Sequence, residues 1–536
     1  MKQWFLSLND CFYRRGTWGE SFFTPAIKAQ GNVFAFAGAI IAPALIICIV
    51  LNRKRWMRAK AVVKGQPVTI AALKWYIAVI ILALVAGACS YLLMEPSYDE
   101  IFSAVNCAEL HPFQVIAYYM LPNNHMYFNL INHLLFSWCW GDLVSSGKLL
   151  SVIAYVGVLL CIYHWLHSLI RRHFISFLAL LPVALQFTPW AMAGQARSYE
   201  AELLCGWGSV ITMFCYFLKE EDKYLKINAF FTVAGFILMP AYLTIYTSQV
   251  FMFISVMIYL RKLNLHYIRY QFIAGAAIFL CYVPSLCFSG IGSFTDNPFV
   301  RPATEHAVDF LPVFWETLKY FIGFCFSMIG GDGSPVNYVL FLLPLILLFS
   351  KQKAHRILSI YYIILWLTYI AFTIYWQRNP FNRNMIIHYS LTMACVVYSL
   401  YVVIHQITNR LKKVKVQKYA LYFLFALPVL SYSGYLAFCD KRDVSYQLYF
   451  YEVNELYRDH VKELALIPPG SSIGFSEEAF YQYYYFRKHH YNVVKCSTGT
   501  EAYFIKRKHD SFPPGTENSY IKIKDGIDNY EFYRKK

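Results

Sequence analysis

Apolar runs of about 20 residues recur along most of the chain, broken by short polar loops, and one such run is the length of one bilayer crossing. They fall at 33–51, 72–94, 147–170, 174–192, 198–218, 227–241, 243–260, 270–288, 336–350, 357–376, 385–407 and 418–438. The pattern predicts an all-α polytopic membrane protein of about 12 spans. A further apolar stretch, 313–329, would carry the basic run Lys351 to Arg356 to the wrong side if it crossed. It is therefore expected to lie on the outer surface. After Phe438 the pattern changes to polar sequence rich in Tyr and Lys, with turn signals at Pro468-Pro469-Gly470 and Pro513-Pro514-Gly515. Helices over 446–466 and 477–489 and strands at Ser472 to Phe475, Asn492 to Lys495 and Ala502 to Arg507 are expected there. They make a small α/β domain with Ile473, Phe475, Val493, Val494 and Ile505 as its core.

Charge gives the spans their sense. Arg53 to Lys64, Arg171-Arg172, Lys219 to Lys226, Arg261 to Arg269, Lys351 to Arg356 and Arg410 to Lys418 all fall in alternate loops. The other set holds Asp99, Glu100, Glu109, Asp142, Asp296, Glu305, Asp309 and Asp332. By the positive-inside rule the first set is cytoplasmic, and residues 95–146 and 439–536 are outside. Residues 1–32, with Arg14 and Arg15, are an exception on the outer side. The division is then an N-terminal extension with one extra span and a basic loop (1–71), a membrane module (72–438) with a large first outside loop (95–146) carrying surface helices, and the outer α/β domain (439–536).

Composition agrees: 58% of residues are hydrophobic and only 15% charged, against about 25% in soluble proteins. The net charge of +17 sits in short loops and forms no continuous face, which argues against nucleic acid as a partner. Most of the 14 Cys lie in apolar runs as small hydrophobes, and no C-x-x-C pair signals a metal or redox site. Cys107, Cys439 and Cys496 fall outside the membrane, leaving room for one disulfide. The first apolar run is followed by Arg53, Lys54 and Arg55, the wrong flank for a cleaved signal peptide.

Candidate chemistry gathers in and near the first outside loop. It opens with Glu95-Pro96-Ser97-Tyr98-Asp99-Glu100, directly after a span. Two adjacent carboxylates at a membrane surface suit general-base work. The same residues also suit a helix start, with Ser97 as cap and Asp99 and Glu100 favoured by the dipole. Asn123-Asn124-His125-Met126-Tyr127-Phe128 follows in the same loop. A lone His usually serves as a structural hydrogen-bonder, but His125 shares its loop with the two carboxylates. At the next outside turn, Gln195-Ala196-Arg197-Ser198-Tyr199 places an Arg at the apolar boundary, where an anion or a carboxylate would stabilise it. A snorkelling anchor is the plain alternative. Arg378 and Arg383 form a second basic point on the face that otherwise lacks Lys and Arg in its short loops.

In this order and on this side, these motifs resemble the GT-C superfamily of membrane glycosyltransferases. That superfamily includes dolichyl-phosphate-mannose protein mannosyltransferases and bacterial aminoarabinose transferases of lipid A. The resemblance covers roughly residues 75 to 440. The chain departs from it at His125-Met126-Tyr127-Phe128, which lacks the family's prolines, at Gln195, where bacterial members often have Glu, and at Arg383-Asn384, where Arg-Tyr is common. The resemblance implies transfer of a sugar from a polyprenyl-phosphate donor to a lipid, glycan or protein acceptor of the cell envelope. The enzyme would sit in a bacterial inner membrane with its site on the extracytoplasmic face. It also implies Asp99 as base, with inversion, and Glu100 and His125 as orienting residues. Arg197, Arg383 and Arg378 would serve the donor phosphate, and Tyr98, Asn124, Gln195 and Tyr199 would give support. A divalent cation, if one is used, would fall to Asp99, Glu100 and His125. The rival reading is a transporter or lipid flippase, which should instead hold ionisable groups near mid-membrane on broken helices. A third is a structural or assembly protein that binds a partner through its outer tail.

Overall fold

The computed structural model describes residues 24–57, 70–119, 124–136, 142–261, 263–295, 315, 335–376, 382–411, 414–438, 445–476, 478–495 and 497–536. Arg378, Cys439, Cys496 and all of the stretch 313–329 except Trp315 lie outside the described residues. Each of the twelve expected spans is helical. Among the described residues nine helices are long and apolar enough to cross a membrane, or ten if the pair α7 (His173–Ala184) and α8 (Phe187–Ala193), bent by 79° at its break, counts as one span. The last two expected spans are shorter: a 17-residue helix Asp222–Leu238, and Pro335–Leu342 continued by a 3₁₀ segment, Leu343–Phe349. The chain is thus a multi-pass integral membrane protein.

The first three helices are α1 (Pro25–Met57), α2 (Ile70–Leu93) and α3 (Tyr98–Ser103). Helix α3 starts at Ser97 through a capping box: the Ser97 hydroxyl accepts from the Glu100 N–H, and the Ser97 N–H donates back to the Glu100 carboxylate at 2.8 Å. It runs on into a π-helical turn, Ala104–Ala108, and is followed by α4 (Pro112–Ala117) and α5 (Met126–Phe136). These are the short helices of the 95–146 segment. Asp142 then caps α6 (Leu143–Ile170), accepting from the N–H groups of Val144 and Ser145 at 2.8 Å each. Helix α9 (Tyr199–Lys219) returns beside α6, and the turn 194–198 lies between α8 and α9.

Two glycines let that turn sit deep. A Cβ on Gly194 would come 2.5 Å from the Ser90 carbonyl oxygen, and one on Gly147 would come 2.7 Å from the Ala196 Cβ. Neither approach tolerates a side chain without a shift of backbone.

At the far end of the chain a five-stranded sheet has the order β2-β1-β3-β5-β4. Strands β1 (Ser472–Phe475), β2 (Asn492–Val494) and β3 (Tyr503–Arg507) pair in parallel. Strands β4 (Tyr520–Asp525) and β5 (Tyr530–Lys535) add an antiparallel hairpin that the sequence reading did not include. Ile473, Phe475 and Ile505 are buried, but Val493 and Val494 are only half-buried, because β2 is an edge strand with one free side. A helix spanning Phe480–Lys488 covers the sheet. One apolar cluster runs through this unit and the 95–146 segment together, joining Ile101, Val105 and Val115 to Phe475, Phe480 and Ile505.

Candidate functional site

Helix α3 presents two neighbouring carboxylates, and a 100° helical step sends them to different partners. Glu100 is fully buried; besides the Ser97 N–H, it accepts from the Ala196 N–H at 2.7 Å. Both of its oxygens are thus committed to backbone, one closing its own helix start and the other holding the 194–198 turn. Glu100 does not face Asp99's partners. Asp99 Oδ2 instead lies 3.0 Å from Arg383 Nη1 and 3.4 Å from Arg197 Nη1, with its side chain 20% exposed. Arg383 reaches it from a 3₁₀ turn, Asn382–Met385, at the start of the helix Ile386–Thr408.

Arg197 is nearly sealed from solvent, its side chain 3% exposed. Its Nη2 donates to His125 Nε2 at 2.7 Å and to the Tyr199 hydroxyl at 3.4 Å, and its guanidinium lies 5.4 Å from the Tyr199 ring. Nε and Nη1 make no hydrogen bond although both are buried. A guanidinium has five donors and no acceptor, so Nε has no protein acceptor here and Nη1 has only the ion pair with Asp99. The Arg197 carbonyl accepts from the Ser151 hydroxyl at 3.0 Å, which fixes the turn against α6.

His125 takes its tautomer from this arrangement. Because Nε2 accepts from Arg197, the proton sits on Nδ1, which donates to the Ser198 hydroxyl. Burial, then the nearby charges of Arg197 and Arg383, hold its pKa well below the usual value of 6.5. His125 is therefore a neutral prop for Arg197.

The supporting residues divide by role. Asn124 donates to the carbonyls of Val115 and Tyr118 and accepts from Asn129 at 2.9 Å, so it shapes the chain around His125. Gln195 is buried in the turn, where its carbonyl accepts from the Arg197 N–H at 2.8 Å. Tyr98 packs on Phe480 and Tyr481, with ring centroids 4.9 and 5.8 Å apart, and lies under the Arg507 guanidinium at 5.5 Å. Burial pushes its hydroxyl up to about 12.

A cation among Asp99, Glu100 and His125 does not fit these donors. Both Glu100 oxygens are taken by N–H groups, His125 Nε2 accepts from a guanidinium, and Asp99 faces two positive charges. The described His and carboxylate groups that do bring ligand atoms within 4.8 Å of one another are Glu478, His509 and Asp510, on the C-terminal unit. Cys107 is a free, buried thiol.

Several contributors were given no role by the sequence reading. Ser198 completes the His125 hydrogen bonds. Lys148, 5% exposed, donates to the Met94 carbonyl and lies over the Tyr91 ring at 5.6 Å. Its signal was a lone charge inside a span. Glu109 takes Arg487 at 2.5 Å and Lys495 at 3.0 Å, pinning the C-terminal unit to the 95–146 segment.

No family model matches this sequence, and no curated protein matches it. The structure does match solved ones. ArnT from Cupriavidus metallidurans, bound to undecaprenyl phosphate, superposes with a TM-score of 0.50 at 10% identity, over 86% of this chain and 98% of that one. The same protein in its apo state gives 0.47, with the same identity and coverage. At that identity the likeness is one of fold: this chain has the fold of ArnT, the membrane architecture that its ordered loop motifs resemble.

Proposed function

We propose that the protein is a membrane glycosyltransferase that moves a sugar from a polyprenyl-phosphate donor to an acceptor hydroxyl at the membrane end carrying the 95–146 segment. The observation that carries this reading is the single Asp99 oxygen held between Arg197 and Arg383, at 3.4 and 3.0 Å. One proton acceptor lies between two phosphate-reading cations. The undecaprenyl phosphate held by the ArnT of matching fold supports the donor class.

In the reaction, the donor phosphate takes the spare Nε of Arg197 and displaces Asp99 from Arg197 Nη1 and Arg383 Nη1, which frees a lone pair on Asp99. Asp99 then takes the proton of the acceptor hydroxyl as that oxygen bonds to the anomeric carbon. The carbon–oxygen bond to phosphate breaks on the opposite face, its electron pair leaving with the polyprenyl phosphate, and configuration inverts. Arg197 and Arg383 neutralise the charge that grows on the leaving oxygen, where a buried cation gains most. His125 holds Arg197 in place, and Glu100 holds the turn that carries it. These charges sit on short helices and turns that connect the long helices, which supports a transferase over a transporter with mid-membrane charges.

The test is to incubate the purified protein with a panel of polyprenyl-phosphate sugars and envelope acceptors and follow release of polyprenyl phosphate. Turnover with at least one donor should fall about 10²–10⁴-fold in Asp99→Asn while donor binding holds. Full turnover in Asp99→Asn would overturn the mechanism.

A further inference from the structure

At the opposite end of the bundle, about one α6 length from Asp99, the helices border a cavity. The cavity has a volume of about 890 Å³ and lies between the ends of α6 and α9, the segment 350–358 and the helix end at 398–409. Its size falls within the ~300–1,000 Å³ of built ligand sites. Trp165, Phe214 and Leu358 make apolar wall, while Arg171, Lys219 and His405 stand among the polar lining. Among the described residues that line it there is no Asp or Glu. The polar wall is also organised. His355, only 5% exposed, is fixed between the Ser350 hydroxyl at 2.8 Å and the Tyr398 hydroxyl at 2.6 Å.

The positive-inside rule accounts for Arg171 and Lys219 as topology signals. It does not account for a cavity of this size, a buried hydrogen-bonded imidazole or the lack of acidic lining. A cavity with apolar wall, cationic lining and no negative charge, set at the end of spanning helices, has the chemistry of an amphiphile site. Basic pockets between membrane helices on this side are suited to anionic lipid head groups. We propose that this cavity binds the phosphate head group and upper acyl chain of an anionic glycerophospholipid from the leaflet at the basic end of the bundle. Arg171 and Lys219 would pair with the phosphate, and Trp165, Phe214 and Leu358 would take the chain. The site is separate from Asp99 and does not depend on the transferase reading.

Native mass spectrometry of the delipidated full chain in detergent tests this, titrating phosphatidylglycerol against phosphatidylcholine of the same acyl chains. The parent should hold one phosphatidylglycerol in preference to phosphatidylcholine. A double variant, Arg171→Asn with Lys219→Gln, should lose that preference by about tenfold to a hundredfold, the scale of one to two charge-assisted phosphate contacts. Both positions are exposed, and Asn tolerates the left-handed backbone of residue 171 (φ 57°), so the variant keeps its fold. Equal retention of the two lipids, or an unchanged preference in the double variant, overturns the proposal. Displacement of the bound lipid by millimolar inorganic phosphate would overturn it as well, by making the site one for a soluble anion.

Discussion

Replacing Glu100 by Gln separates the two carboxylates of α3 by experiment. Glu100 accepts two backbone N–H groups, from Ser97 at 2.8 Å and Ala196 at 2.7 Å, with no exposure to solvent. A glutamine side chain offers one acceptor oxygen, and its NH₂ would face the second N–H, donor against donor. One charge-assisted hydrogen bond is lost, about 1.5–3 kcal/mol, and a buried N–H is stranded, about 1–3 kcal/mol more. Allowing for partial relaxation, we expect a loss of about 3–5 kcal/mol, large against a typical net stability of about 5–15 kcal/mol. The Ala196–Arg197 turn would also loosen, so donor affinity should fall. The assay is a thermal melt in detergent paired with donor binding and turnover per folded molecule, beside Asp99→Asn. Glu100→Gln should melt several degrees lower and keep far more turnover per folded molecule than Asp99→Asn. If it instead melts like the parent, binds donor normally and loses turnover as Asp99→Asn does, Glu100 acts on the chemistry and the reasoning fails.

Arg383→Ala should weaken donor binding by about tenfold, the scale of one charge-assisted contact, with little change in melting because its side chain is partly exposed; a titration with a polyprenyl-phosphate sugar measures it. His125 gives a pH dependence. Its folded pKa lies well below 6.5, so below that pH the unfolded chain takes a proton that the folded site refuses. Stability is then full above about pH 6.5 and falls with acid by up to about 1.4 kcal/mol per pH unit, and melts between about pH 7.5 and 5 should show a slope that His125→Gln flattens. Phe480→Ala removes a buried ring from between Tyr98 and Phe102. It should cost about 3–5 kcal/mol and free the C-terminal unit from α3, seen as faster proteolysis after residue 445.

The spans were legible because each is an apolar run of bilayer length, a property local to the run. The same locality made Ser97 readable as the cap of a helix, with Asp99 and Glu100 in its first turn. What α3 does beyond its own turn was not legible. Arg383 meets Asp99 across 284 residues and Ala196 meets Glu100 across 96, and no spacing rule reaches so far. Adjacent acids on a helix diverge by about 100°, so their separate roles depended on which one turned toward the 194–198 backbone. The hairpin of β4 and β5 went unread although Tyr530-Glu531-Phe532 alternates. Its turn runs from Asp525-Gly526 through Asp528 and Asn529, the last two with φ of 51° and 62°, so the Asp-Gly pair was a hairpin signal that the reading passed over. Val493 and Val494 looked like core from composition, but burial depends on a strand's place in the sheet.

The clamp of Glu109 by Arg487 and Lys495 has a consequence for how the protein is made. Arg487 lies 378 residues after Glu109, so the ribosome has released and the membrane has received every span between them before the clamp can close. At a synthesis rate of about 5–20 residues per second, α3 waits roughly 20–75 s with its Tyr98 and Phe102 rings bare. During that interval the nascent protein carries all of its membrane helices and an unfinished reaction face. A chaperone that shields the 95–146 segment, or a protease that samples it, would act in this window. Chains stalled anywhere before Phe480 would be correctly inserted yet left without the aromatic cover that seats Asp99.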